Sequence, residues 1–317
     1  MIYLILFIVF TGALLLYFRI ADRFNIIDKP NERSSHSSVT IRGGGVVFLI
    51  AALVALVFQP AFWLPVTGTL VIGIISFVDD ILTLPNRVRI VFHVIAVTLL
   101  FQYLQAFSSL PFYVIALLYI LVIGIINAYN FMDGINGITG LYSLVILAGL
   151  QYVNLRQVPF VQANLIWFPM LATVAFLLFN FRKKALCFAG DVGSVTISFW
   201  IITLLLILIF TTGNWLYILF LAVYGVDAVL TIIHRLIMGQ NIFKAHRLHF
   251  YQLLANEWKM PHLVVSVVYA FMQLLIICVI VGVYDTGNGL LVAVCLLAPL
   301  AAVYIILKPR LMRFQIR

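Results

Sequence analysis

The chain has 317 residues, of which 65% are hydrophobic and 9% charged, with a formal net charge of +9. Water-soluble domains carry about 25% charged residues, so a soluble fold is excluded. Apolar runs of bilayer-crossing length recur along nearly the whole chain, without the alternation that a transmembrane β-barrel requires. The expected class is all-α: a polytopic membrane bundle filling residues 1–317 as one membrane-embedded domain, with no room for a separate soluble unit.

Eleven spans are expected in chain order, near 2–18, 43–59, 62–78, 90–107, 111–127, 137–153, 161–179, 194–211, 215–233, 263–283 and 289–307. The first has no basic leader and no small-residue cleavage site, so it reads as a retained span and not a signal peptide. Eighteen of the 19 lysines and arginines follow odd-numbered spans, Arg156 being the exception. By the positive-inside rule that side is cytoplasmic, with the N-terminus outside and the C-terminus inside. The outer connections are short and nearly featureless; the inner ones are long and rich in Asp, Asn, His, Arg and Gly. Such asymmetry points to a site on one membrane face. The basic face suits either anionic lipid headgroups or an anionic cytosolic substrate. Cys187, Cys278 and Cys295 lack metal-ligand spacing and read as packing residues. No basic run interleaved with aromatics suggests a nucleic-acid partner.

Five inner segments carry the chemistry. In DKPNERSSHSSVTIRGGG (28–45) the glycines either offer backbone N–H groups to an anion at the start of the second span or form a tight turn. In FVDDILTLPNRVR (77–89), Asp79 and Asp80 leave the third span together. Adjacent carboxylates repel unless a cation shares the site, and Mg²⁺ with substrate phosphates is a natural partner; the other reading is a solvated helix end. Arg89 and His93 lie at i, i+4 on one helix face, with His93 either part of the site or a hydrogen-bonded core histidine.

In NAYNFMDGINGITG (127–140), Asn127, Asn130 and Asp133 recur three apart and share a face. Amides left facing lipid would cost several kcal/mol, so that face looks into the bundle, as ligands or as polar helix–helix contacts. In FNFRKKALCFAGDVGS (179–194), Asp191 stands in a glycine turn open to close approach. In HRLIMGQNIFKAHRLHFYQLL (234–254), His246, Arg247 and His249 form a polar cluster suited to gripping a diphosphate. Asp227, within the ninth span, is a functional candidate or a partner for a neighbouring span. Together these groups are what Mg²⁺-assisted attack on a nucleotide diphosphate needs: carboxylates for the metal and cations for the phosphates. A non-enzymatic transporter or lipid flippase is the alternative class, which the bare outer loops disfavour.

The ordered motifs DKPNERSSHS with RGGG, DDILTLPNRVR, NAYNFMDGINGITG, FAGDVGS and HRLHFYQLL resemble those of the polyprenyl-phosphate N-acetylhexosamine-1-phosphate transferases, glycosyltransferase family 4. The similarity is greatest to the branch that initiates O-antigen and related envelope polysaccharides. The resemblance implies a helical bundle with a cytoplasmic-face active site in a bacterial inner membrane. It implies transfer of N-acetylhexosamine-1-phosphate from a UDP-sugar to undecaprenyl phosphate, with release of UMP and a requirement for Mg²⁺ or Mn²⁺. By motif, Asp79, Asp80 and Asp191 would be catalytic, with Asp191 and Asp80 on the metal. Asn127, Asn130, Asp133, Arg89, His246, Arg247 and His249 would bind substrate. Thr83 stands where many relatives carry a third aspartate, and Asn136 replaces a frequent aspartate after D-G-I. The muramoyl-pentapeptide branch of peptidoglycan synthesis is the poorer match, because HRLHFY lacks its histidine-rich loop.

Overall fold

The computed structural model describes residues 1–28, 40–241, 247–283 and 288–312. Thirteen α-helices run through them: α1 (Ile2–Arg23), α2 (Val46–Phe58), α3 (Trp63–Leu82), α4 (Asn86–Tyr103), α5 (Ala106–Ser109), α6 (Phe112–Met132), α7 (Ile138–Arg156), α8 (Asn164–Asn180), α9 (Gly190–Thr212), α10 (Ala222–Ile237), α11 (Phe250–Asn256), α12 (His262–Gly282) and α13 (Gly289–Met312). Single 3-10 turns, Pro60–Phe62 and Trp215–Leu221, lead into α3 and α10.

Every expected span is occupied by a helix, but they are not eleven equals. Eight of the helical segments are long and apolar enough to cross a bilayer by themselves. The other three fall short for separate reasons. Helices α2 and α8 have only 13 and 17 residues, and α4 opens with Asn86, Arg87 and Arg89 and carries His93. The protein is a multi-pass helical membrane bundle.

Helix α9 is apolar on all sides and is buried along almost its whole length, as an all-round hydrophobic helix at the centre of a bundle must be. Around it pack α3, α6, α7 and α2, with α4 against α3, α12 against α7, and α1 and α2 against α8. The outermost helices present leucines and isoleucines such as Leu117, Ile120, Leu290 and Leu291 outward. In a bilayer that surface meets acyl chains, which are as apolar as leucine.

One end of the bundle is tied by backbone pairing. β1 (Ile27–Asp28) and β2 (Thr40–Ile41) form a short antiparallel ladder, and Ile41 bridges to Cys187 ahead of α9. Gly44 N–H donates to Phe188 O and Gly45 N–H to Ala189 O. These N–H groups are therefore spent on structure and are not open to an anion. The glycines serve proximity instead. A Cβ on Gly45 would land on the Gly193 backbone, so α2 and α9 approach here with no side chain between them.

Candidate functional site

The site is assembled at the helix ends beside this ladder. Asp79 and Asp80 occupy the last turn of α3 and are both buried. Asp80 accepts from the Asp191 N–H at Oδ1 (2.9 Å) and from the Val192 N–H at Oδ2 (3.0 Å). These are orphan donors of the first turn of α9, so an aspartate from one helix caps another. The favourable field of a helix N-terminus acts on the same carboxylate. This cap explains why α9 starts at Gly190, four residues before the expected span. Asp191 is thus in a helical first turn and not in a free glycine turn. Gly190, at φ +72°, is left-handed, and a Cβ there would press on Asp80 Oδ2.

Two arginines stitch the carboxylates together. Arg42 places Nε 2.8 Å from Asp80 Oδ1 and Nη2 3.6 Å from Asp191 Oδ1. Arg89 places Nη1 3.1 Å from Asp79 Oδ2 and Nη2 3.3 Å from Asp191 Oδ2. Asp79 Oδ1 also accepts from the Leu84 N–H (2.6 Å). Three acids from two helices therefore converge on two guanidinium groups. The Asp80 side chain is fully enclosed, whereas 19% of the Asp191 side chain remains open and its ion pairs are the looser ones. Burial opposes the charge on Arg42, but the Asp80 and Asp191 carboxylates outweigh it and hold the guanidinium above its usual range. Arg42 did not stand out as a site residue in the sequence; its signal was its place at the head of RGGG.

The segment after α6 closes one side. Asn130 lies against Asp191, yet its buried Nδ2 makes no hydrogen bond of ordinary geometry. Asp133 ends α6, half-buried, with its carboxyl pushed up to about 6 chiefly by burial and further by the Asp191 charge. Asn127 does not join them: its Nδ2 donates to Ile123 O (2.8 Å) in its own helix. The loop is pinned by Asn136 Nδ2 donating to Arg182 O (2.8 Å) and by Gly137 N–H donating to Asn180 Oδ1 (2.7 Å).

The histidine segment is built differently from expectation. His246 lies outside the described residues. Arg247 is half-buried just ahead of α11. His249 is only 2% exposed; it caps α11 reciprocally with Gln252 and lies 3.4 Å from Asp227 Oδ1. Asp227 in turn accepts from the Phe250 N–H (2.8 Å), the Tyr251 N–H (3.2 Å) and the Tyr269 hydroxyl (2.8 Å). Asp227 thus does for α11 what Asp80 does for α9, and His249 belongs to that buried cap. His93 is not the hydrogen-bonded core histidine of one of its two readings. It is 2% exposed, and neither ring nitrogen has a hydrogen-bond partner among the described residues.

Residues 62–209 match the family model described as glycosyl transferase family 4. Over that stretch the chain is similar to glycosyl transferase family 4. The matched segment takes in Asp79, Asp80, Arg89, Asn130, Asp133 and Asp191; Arg42 and the Asp227–His249 cap lie outside it. No curated protein matches the chain.

Proposed function

We propose that this family 4 chain transfers an N-acetylhexosamine-1-phosphate from a UDP-sugar to undecaprenyl phosphate, releasing UMP, as the first step of an O-antigen-like envelope polysaccharide. The observation that carries this reading is the carboxylate–guanidinium cluster at the helix ends: Asp79, Asp80, Asp191 and Arg89 from the family-matched segment, with Arg42 from outside it. In the reaction, an acceptor phosphate oxygen attacks the sugar-linked phosphorus. A P–O bond forms there as the P–O bond to the UMP phosphate breaks, and UMP leaves with the electron pair.

A divalent cation fits this donor set. The ligands are hard carboxylate oxygens, as Mg²⁺ or Mn²⁺ prefers. Among the described residues no group of three or more His, Cys, Asp or Glu encloses an ion. Mg²⁺ is typically held by one or two carboxylates plus substrate phosphates rather than by an all-protein cage. Asp191, the most open of the three acids, would be the first ligand. Asp80 keeps spare lone-pair capacity at Oδ2, but its main work is to hold the start of α9. When bound, the ion would neutralise charge on the diphosphate.

The remaining roles follow from the contacts. Arg42 and Arg89 are the cations that can turn from carboxylate to phosphate, for which planar guanidinium forks are suited. Asp79 has both oxygens engaged, by Leu84 N–H and Arg89, and so positions Arg89. The acceptor needs no proton removed, because a phosphate monoester with a second pKa near 6 is already largely dianionic at pH 7. Asn130 and Asp133 border Asp191 on the side from which the nucleotide would approach. The test is UMP release by the purified protein, given undecaprenyl phosphate, Mg²⁺ and each of a panel of UDP-N-acetylhexosamines. Asp191→Asn should abolish release with the melting midpoint held. Full turnover by that variant would remove Asp191 from the metal, and absence of release by the wild type with every sugar would remove the reading itself.

A further inference from the structure

His93 is a buried polar side chain that this scheme leaves unused. It belongs to the inward stripe of α4 formed by Arg89, His93, Ala96, Val97 and Leu100, whereas Val91, Val94 and Ile95 face outward. A neutral imidazole carries one donor and one acceptor. Both ring nitrogens are enclosed without a partner among the described residues, a costly arrangement that a leucine or phenylalanine would avoid if packing were the whole purpose. The charged groups within electrostatic reach are Arg89 and Asp79. Helical side chains lean toward the N-terminus over the preceding turn, so the imidazole is directed toward Arg89 and the acid cluster. It also lies about 6 Å further along the helix than Arg89, on the bilayer side of the cluster.

We propose that His93 donates a hydrogen bond to the phosphate of the lipid acceptor, on the membrane side of Arg89, and so positions the attacking oxygen. The proposal rests on the transferase reading above. A nucleotide diphosphate arrives from water, whereas a polyprenyl phosphate arrives from the bilayer, and His93 stands on the bilayer side. Arg89, one turn before His93 on the same helix face, bridges Asp79 and Asp191. When Arg89 swings to an incoming phosphate, the imidazole is the next polar group along that face. One hydrogen bond to a charged acceptor then replaces the missing partner.

The experiment has a binding arm and a kinetic arm. In the binding arm, farnesyl phosphate and farnesol are added to the detergent-solubilised protein and the melting midpoint is followed. Wild type should be stabilised more by the phosphate than by the alcohol, and His93→Phe should lose that difference. In the kinetic arm, His93→Phe should raise KM for the polyprenyl phosphate about tenfold or more, leaving KM for the UDP-sugar within about twofold. His93→Gln, which keeps a donor, should recover most of the loss. If both KM values stay put and the phosphate-specific stabilisation survives in His93→Phe, the histidine is a packing residue and the proposal falls. It falls equally if both KM values rise together, or if His93→Gln fails as badly as His93→Phe while melting normally. Absence of UMP release from wild type strikes the transferase reading; the farnesyl phosphate comparison needs no turnover and judges His93 separately.

Discussion

Asp80 spends its carboxylate on two backbone N–H groups and Arg42 with its side chain wholly enclosed, whereas Asp191 keeps an open edge. Adjacent motifs thus carry different burdens, and substitutions should separate them. Asp80→Ala strands two buried donors and the Arg42 charge, so it should cost about 2–4 kcal/mol, read as a lower melting midpoint along with lost activity. Asp133 gives a pH signature. Its folded pKa of about 6 lies above the ordinary 3.8, so between those values the folded state binds more protons than the unfolded one, and stability falls as pH rises through that window. Below pH 4 the contribution is intact, and above pH 6 the loss is complete and level. Asp133→Asn should therefore melt higher than wild type at pH 7, with the gap closing toward pH 4. A gap independent of pH would show that Asp133 titrates normally.

Two helices begin on borrowed carboxylates: α9 on Asp80 of α3, and α11 on Asp227 of α10. Such caps are invisible to a reading along the chain, because donor and acceptor are 111 residues apart in one case and 23 in the other. That explains the misplaced start of α9, where G-D-V-G-S looks like a turn until Asp80 satisfies its N–H groups. It also explains the missed helix α11, whose cap takes in His249. Continuous apolar runs, by contrast, declared the long helices directly, since nothing else can bury a backbone in hydrocarbon. The acids were legible by residue type; Arg42 was not, because a lone arginine in a basic loop resembles any topogenic charge. Asp227→Leu should leave three buried donors unmatched and cost roughly 2–4 kcal/mol. It should also open the segment around Arg247 to limited proteolysis; unchanged cleavage would argue that α11 is held by its apolar contacts alone.

Across the whole molecule, three of the described arginines that set the expected orientation lie at the end that holds the site. Arg42 and Arg89 are part of the cluster, and the Arg182 carbonyl anchors the loop beside it. If that end is cytoplasmic, as the charge distribution predicts, a cysteine placed at Arg156 should react with a membrane-impermeant thiol reagent in intact cells. One placed at Lys183 should react only after lysis; the opposite pattern would invert the topology and put the site outside. The same basic rim would draw in an anionic nucleotide, an attraction weakened by salt.

The near-total enclosure of α9 has a mechanical corollary. Asp191 rides on the member of the bundle least able to shift, braced at its start by a glycine contact that leaves no slack. Any rearrangement that opened the site would have to be made by the periphery, with α4, the outer neighbour of α3, turning about a fixed stator.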